Sequence, residues 1–509
     1  MARSSEPRVS RRRFIEATGA AGIAVGLAGC SSGGGNNNTN NTTTNGNGGG
    51  SSTSGGSTTG DTSSSSSNGG TTTVQFAADS IAGDNQKGIN EALHSAGLSK
   101  DVKVSVLAGS SVTNNREQKY TQWLSSGRAE PDILMMDSGW TIPFIVRDQL
   151  ENLSKQLDSG TRKTVENDYF DAAVKTAQSP SSGDLYGVPF FPDFPTMLYR
   201  KDLFEQAGHA PQDSWATKSI HWKEFSKAVA DAKSKGGTQY GYTWQANVYE
   251  GLSCCDFNEL MSSWGGAYFG GEDNLFGPIG KRPVTVDQQP VIDAIEMGKT
   301  FISGPDAKNT RSDYEQISPQ AVLQWTENPS LKPFQNGKAV AHRNWSYAIK
   351  QTVNSKAVGG DKLGVMPIPY HVSKGAGKYK GLGGPTASLG GWNVALNPNS
   401  KKKDAAVEVL KTLPNDQFQL QLTQLTGWLT PKPKLFDSQK MKDLPALGPY
   451  IDSLKVAGNN AVPRPVTAVW PQESKKIAQK VNAALSGDET PKKAMSSLAK
   501  TLTAIENRS

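Results

Sequence analysis

Carboxylate and aromatic side chains in this sequence fall at the ends of predicted strands and in irregular segments. Asp137 directly follows the predicted short strand 132–136, and Asp193 lies in a proline-rich segment. Tyr249 and Glu250 lie in a second irregular stretch. In open α/β sheets, ligands bind outside the carboxyl ends of the strands. We therefore expect these side chains to contribute to a ligand-binding site.

The combination of these residue types favours a carbohydrate ligand. Hydrogen bonds from sugar hydroxyls to charged acceptors contribute about 1.5–3 kcal/mol each. The C–H faces of a sugar pack on aromatic rings, with a gain of about 25 cal/mol per Å² of apolar surface buried. For any single Trp or Tyr, burial in the core is the alternative interpretation.

The sequence contains none of the common catalytic or cofactor motifs. It has no phosphate-binding P-loop, no dinucleotide-binding glycine motif, no zinc-protease helix and no nucleophile elbow. The five His residues do not have the spacing of metal ligands. We therefore predict no catalytic residue, no metal and no cofactor. The alternatives are a glycosidase that uses Asp137, Asp193 and Glu250 as its carboxylates, and a passive surface protein.

The N-terminal residues resemble a twin-arginine export signal. Three arginines at 11–13 precede the apolar stretch 17–29. This stretch is too short to span a bilayer, which takes about 20 residues. Leu27-Ala28-Gly29-Cys30 resembles a lipobox, in which Cys30 is lipidated after cleavage. We predict a signal peptide over 1–29 and a lipid anchor at the outer face of the cell membrane. A buried helix with a chance arginine run is the alternative.

A low-complexity tract follows the predicted anchor. Apart from Asp61, every residue from 31 to 73 is Ser, Thr, Gly or Asn. Such a tract cannot bury enough apolar surface to offset the entropy of ordering it. We expect residues 30–73, with the lipidated Cys30, to be a disordered tether to the folded body.

The charge of the chain indicates which partners to expect. The net charge is +7, without a long block of Lys or Arg, so we expect no nucleic-acid partner.

Besides Cys30, the chain contains only the adjacent pair Cys254 and Cys255. This pair fits either a vicinal disulfide or two reduced buried thiols.

The hydrophobic periodicity of the folded body predicts an α/β fold. Residues 102–107 alternate as in a strand, 132–136 form a short buried strand, and 115–126 between them show helical spacing. This order predicts a strand-helix-strand unit with parallel strands. Apolar stripes predict C-terminal helices around 405–413 and 477–485, the latter followed by Gly487, and a last helix that Thr490 and Pro491 open and that extends to about 505.

From about residue 74 to the C-terminus, the chain resembles the family 1 extracellular solute-binding proteins of ABC importers, in particular the trehalose/maltose-binding branch. The matching segments are 131–140, 186–204, 244–252, 334–345, 390–393 and 464–466. The resemblance implies a two-lobe periplasmic-binding-protein-like fold with a hinged interlobe cleft. We expect lobe one to contain 74–190 plus 345–388, and lobe two to contain 196–340 plus 394–509.

The resemblance also implies a function and a set of ligand-binding residues. The chain would capture a sugar outside the cell, such as maltose or trehalose, and deliver it to membrane permease subunits whose ATPase is a separate chain. We expect it to act as a monomer. The implied residues are Asp137 and Asp193 as acceptors, Arg116 and Arg464 as donors, Trp345, Tyr347 and Trp392 as stacking rings, and Tyr249, Glu250 and Asp84 as further contacts. Phe191 stands where some relatives carry a Tyr.

Overall fold

The computed structural model describes residues 70–211, 214–378 and 382–508. The predicted signal peptide, the predicted lipidation site Cys30 and the tract up to residue 69 lie outside the described residues. The first strand begins at Thr72, so the end of the predicted tether belongs to the folded body. Among the described residues, no helix is both long enough and apolar enough to cross a bilayer.

The strands of the described part of the chain form two sheets. They are β1 (Thr72–Ala78), β2 (Val102–Ala108), β3 (Ile133–Asp137), β4 (Gly187–Asp193), β5 (Thr196–Arg200), β6 (Tyr240–Thr243), β7 (Ala339–Asn344), β8 (Leu363–Met366), β9 (Ala387–Leu396) and β10 (Ala461–Pro463). The first sheet has the order β10-β9-β3-β1-β2, with β4 paired to β9, and the second has the order β6-β7-β5-β8. The expected α/β class is confirmed, with one sheet in each of two lobes.

Helices precede, connect and follow these strands. They are α1 (Ser80–Asp84), α2 (Gln86–Ser95), α3 (Thr113–Ser125), α4 (Thr141–Val146), α5 (Ser159–Asp168), α6 (Asp171–Thr176), α7 (Lys201–Gln206), α8 (Trp215–Lys218), α9 (Trp222–Gly236), α10 (Phe257–Ser263), α11 (Gln289–Ser303), α12 (Glu327–Gln335), α13 (Ser346–Thr352), α14 (Lys403–Thr412), α15 (Asp416–Thr426), α16 (Gln439–Lys442), α17 (Ile451–Asn459), α18 (Trp470–Ser486) and α19 (Pro491–Glu506). A π-helical turn, Leu252–Asp256, directly precedes α10.

The predicted strand-helix-strand unit is present in the first sheet. Strand β1 pairs in parallel with both β2 and β3, and α3 connects the latter two. Tyr120 and Leu124 on α3 are buried. The Tyr120 hydroxyl donates a hydrogen bond of 3.0 Å to the carbonyl oxygen of Ala77 on β1. The spacing of apolar residues thus predicted both the helix and the face that packs on the sheet.

The boundary between the last two helices lies where the sequence places a glycine and a capping threonine. Helix α18 ends at Gly487, whose φ of 89° lies in the left-handed region that glycine adopts without strain. Helix α19 begins after Thr490, whose side chain accepts a hydrogen bond from the backbone N–H of Lys493. Both helices bury their predicted apolar stripes.

The proline-rich segment around Asp193, which we expected to be irregular, is mostly a strand. Most of it belongs to β4, which pairs antiparallel with β9 and shifts register between Pro189 and Phe191. Because β9 is its sole strand partner among the described residues, β4 has a free edge. A proline that cannot donate a ladder hydrogen bond is tolerated at such an edge.

The pairing of the strands also differs from the expected lobe boundaries. Strand β8 lies within 345–388, the segment expected in lobe one, but it pairs with β5 of the second sheet. Helices α14 and α15 lie within 394–509, expected in lobe two, but α14 packs on β9 and β1 of the first sheet. An apolar run predicts a strand but does not specify which sheet the strand joins. The lobe boundaries in the structure therefore differ from those expected from the sequence.

Candidate ligand-binding site

A cavity of about 370 Å³ lies between residues of the first sheet and residues of the second. All ten side chains predicted to bind the ligand line it: Asp84, Arg116, Asp137, Asp193, Tyr249, Glu250, Trp345, Tyr347, Trp392 and Arg464. These residues are scattered over most of the folded body, so their convergence is a property of the fold.

Asp137 ends β3 with its carboxylate held in place by local hydrogen bonds. One oxygen accepts from the backbone N–H of Gly139 at 2.7 Å, and the other accepts from the Thr113 hydroxyl at 3.3 Å. Gly139 has no space for a side chain, since a Cβ there would lie 2.6 Å from Nη1 of Arg464. The glycine therefore allows the Arg464 guanidinium to approach the carboxylate.

Arg464 connects carboxylates that come from the two sheets. Its Nη1 donates to Asp137 at 2.8 Å and to Glu250 at 3.1 Å. Glu250 follows β6 of the second sheet and also accepts from the indole N–H of Trp470 at 2.7 Å and from the Ser474 hydroxyl. Burial raises the pKa of Glu250, whereas the charge of Arg464 lowers it. One guanidinium is thus the common hydrogen-bond donor to two buried carboxyl groups.

A second link between the lobes involves α3. The backbone N–H of Glu250 donates to the side-chain oxygen of Asn114 at 3.1 Å. Glu117, one turn further along α3, faces the same carboxylates. Burial, followed by the charges of Glu250 and Asp137, raises the pKa of Glu117 to about 7.

Asp193, the last residue of β4, presents an unused acceptor to the cavity. The residue is buried, and its Oδ1 has no hydrogen-bond partner among the described residues. Burial raises the pKa of Asp193 well above its ordinary value. The opposing residue on β9 is Gly390, at which a Cβ would lie 3.2 Å from the ring of Trp345. A ligand hydroxyl that donates to Asp193 would supply the missing hydrogen bond.

Arg116 presents unused donors to the same cavity. The side chain is 2% exposed, and its Nε and Nη1 have no hydrogen-bond partner among the described residues. The carboxylate of Asp79 lies 4.0 Å from Nη1, too far for a hydrogen bond. The guanidinium is therefore free to donate to ring or hydroxyl oxygens of a ligand.

Each of two cavity indoles is covered by a guanidinium. The Cζ atom of Arg116 lies 4.0 Å from the ring centre of Trp392, and that of Arg343 lies 4.3 Å from Trp345. Arg343 does not line the cavity; it is held behind Trp345 by hydrogen bonds to Glu259 and to Gln245. Such cation–π contacts hold a ring in place.

The other aromatic side chains of the cavity differ in the contacts that they make. The Tyr249 hydroxyl donates to Glu327 at 2.8 Å. Tyr347 lies in the first turn of α13 and is buried. Phe191 stacks on Trp428 with ring centres 4.2 Å apart and planes within 7°. Phe191 therefore supplies an apolar wall to the cavity.

Sequence reasoning missed several residues of the cavity. Asp79 directly follows β1, the same signal that identified Asp137. Glu327 opens α12 and Trp428 follows the left-handed Gly427, and neither carried such a signal. Cys254 and Cys255 also line the cavity. They form a vicinal disulfide, one of the two states that the sequence left open.

The bacterial extracellular solute-binding protein family matches the chain over residues 86–419. The chain belongs to this family. A protein of Deinococcus radiodurans named probable ABC transporter-binding protein is 27% identical over 395 residues, which cover 76% of this chain and 83% of the relative. The resemblance drawn from the sequence is confirmed, and the chain is a solute-binding protein of an ABC transporter.

Solved structures with the same fold include proteins of different ligand classes. Maltose-bound MalE3 of T. maritima has a TM-score of 0.70 and 25% identity, covering 84% of this chain and 98% of that protein. UgpB from Mycobacterium tuberculosis in complex with glycerophosphocholine has a TM-score of 0.66 and 17% identity, covering 86% and 99%. The two-lobe fold is therefore that of solute-binding proteins.

Replacing Arg464 should destabilise the protein through its two buried carboxylates. We expect Arg464→Leu to lower the free energy of unfolding by about 3–5 kcal/mol at pH 7, because Asp137 and Glu250 lose their common partner. The loss should be smaller at pH 5, since the folded variant would bind more protons than the unfolded chain. Urea unfolding at both pH values measures the change. Arg162→Leu, which removes a surface pair with Glu166, should cost less than about 1 kcal/mol.

Ligand affinity should depend on the charge of Glu117. Burial and the charges of Glu250 and Asp137 hold the pKa of this carboxyl at about 7. Because Glu250 belongs to the second-sheet side, a ligand that brings the lobes together should favour the protonated group. Affinity should therefore fall several-fold between pH 6 and pH 8, as the ionised group meets Glu250 and Asp137. Glu117→Gln should remove this part of the dependence, whereas Glu91→Gln at the surface should not. Identical calorimetric pH profiles for wild type and Glu117→Gln would contradict the assignment.

Proposed function

We propose that this chain captures a di- or oligosaccharide, such as maltose or trehalose, outside the cell and delivers it to the permease of an ABC importer. The observation that carries this proposal is the set of unpartnered polar atoms on Asp193 and Arg116, beside the rings of Trp345 and Trp392. Sugars offer what this arrangement lacks, namely hydroxyls that donate and accept, and C–H faces that pack on rings.

The size of the cavity and the structural neighbours support a small polar ligand. A cavity of about 370 Å³ falls within the usual range of small-molecule sites. Maltose occupies the T. maritima protein, which is 25% identical to this chain. The lobes contribute different contacts, so a ligand that bridges them would favour the closed form.

The proposal extends to the N-terminal segment. We infer that the twin-arginine signal over 1–29 is removed, that Cys30 is lipidated, and that the tract from residue 31 to the start of β1 at Thr72 tethers the receptor to the outer face of the membrane. A Gly/Ser-rich linker of this length has a root-mean-square span of roughly 32–39 Å. Tethering would raise the effective concentration of the receptor near its permease.

Catalysis is the alternative that the site supports less well. A glycosidase needs one carboxyl as a proton donor and a second as a base or nucleophile. Here Asp137 and Glu250 are both engaged by Arg464, and fixed donors fill further acceptor positions on each. We therefore expect binding without turnover.

A ligand panel tests the proposed function. We expect maltose or trehalose to raise the melting temperature in a saturable manner, because ligand that binds only the folded state stabilises it. The sugar should be recovered unchanged after incubation, which chromatography measures. Stabilisation by glycerophosphocholine alone, or release of glucose, would overturn the proposal.

Removing the half-buried indole of Trp392 should weaken sugar binding without unfolding the protein. We expect Trp392→Ala to reduce affinity by about 1–3 kcal/mol through loss of stacking area. Trp123→Ala on the outer part of α3 is the matched control, since Trp123 does not line the cavity. Calorimetric titration compares the two variants. Equal affinities would remove Trp392 from the binding site.

A further inference from the structure

The Cys254–Cys255 disulfide forms part of the cavity wall on the side of the second sheet. Both residues line the cavity and are 3% and 2% exposed, so little other than an occupant of the cavity can reach them. They lie within the π-helical turn Leu252–Asp256, directly after the cavity residues Tyr249 and Glu250.

This turn is fixed from several directions. The Ser253 hydroxyl donates to the carbonyl oxygen of Glu250 at 2.9 Å, and the Ser388 hydroxyl on β9 donates to that of Cys255 at 2.9 Å. A Cβ at Gly251 would lie 2.3 Å from the Tyr249 hydroxyl, so glycine lets the tyrosine ring fold against the turn. The tyrosine, the glutamate and the disulfide therefore form one compact wall.

The disulfide differs in chemistry from most of its surroundings. Carboxylates, guanidinium groups and indoles dominate the cavity. A disulfide carries no charge and no hydrogen to donate, and sulfur is a weak acceptor and a polarisable apolar surface. Such a surface does not suit a sugar hydroxyl, but it suits the C–H groups of a sugar ring.

We propose that the Cys254–Cys255 disulfide packs against C–H groups of the bound sugar, and that affinity depends on this pair being oxidised. The inference rests on the proposed function, because it specifies how that ligand is held. The bridge fixes both sulfur atoms side by side in the wall. Reduction leaves two thiols whose side chains adopt rotamers independently, so the continuous apolar surface is lost.

Reduction by a dithiol makes the inference testable. A dithiol reductant supplies two electrons and two protons, the S–S bond breaks, and two S–H bonds form while the reductant closes its own disulfide. The full chain carrying Cys30→Ser is the starting protein, so that only the adjacent pair responds. Maltose and trehalose are titrated by calorimetry before reduction, after reduction with dithiothreitol, and after reoxidation. Alkylation and mass measurement confirm two free thiols in the reduced sample.

We expect the reduced protein to bind at least about threefold more weakly and to recover its affinity on reoxidation. The variant Cys254→Ala/Cys255→Ala should bind weakly in both conditions, which separates the cavity from any other effect of the reductant. Saturating sugar should also slow reduction of the wild-type pair. If the alanine variant does not fold, the reduced wild type tests the inference, with its melting temperature as the fold control.

The possible failures are distinguishable. Equal affinity of the oxidised and reduced protein, or of the alanine variant, overturns this inference and leaves the proposed function intact. Oxidised protein that binds neither sugar overturns the proposed function, and the inference with it.

Discussion

Burial of like charge in the cleft is the constraint on which the site depends. Asp137, Asp193 and Glu250 place carboxylates from both lobes around one cavity. A buried carboxylate without a partner costs several kcal/mol, so the arrangement requires cations placed in the same interior. Arg464 satisfies two of the three groups at once. Asp193 keeps an unpartnered oxygen, and its desolvation is offset only in part by the charge of Arg343.

The same cations hold the aromatic walls. The charge of Arg343 opposes the burial that raises the pKa of Asp193, and its guanidinium covers Trp345. Arg116 covers Trp392 beside Asp79. The same arginine side chains therefore both offset the buried carboxylates and hold the rings in place. A substitution at either arginine would disturb the carboxylates and the rings together, so the effects of single substitutions in this site should not add.

Sequence reasoning predicted the α/β class, the strand-helix-strand unit and ten of the residues that line the cavity, because alternation, strand ends and family motifs are local signals. It did not predict which sheet β8 joins, since pairing depends on edges far apart in the chain. It also missed β4 as a strand, because proline disfavours a central strand but not a free edge. Glu327 and Trp428 were missed since only tertiary packing brings them to the cavity.

The division of chemistry between the lobes suggests how ligand would drive closure. Unpartnered polar atoms of Asp193 and Arg116 lie on the first-sheet side, so a ligand bound to that lobe would keep these contacts in an open cleft. Only second-sheet contacts can favour the closed form. Shifting a population from 1:99 to 99:1 takes about 5.5 kcal/mol of differential affinity. At about 25 cal/mol per Å², that corresponds to burying roughly 200 Å² of apolar surface. Trp345 and Tyr347 are each 8% exposed and the two cysteines 2–3%, so apolar contacts provide only part of this area, and polar contacts from the second-sheet side must supply the rest.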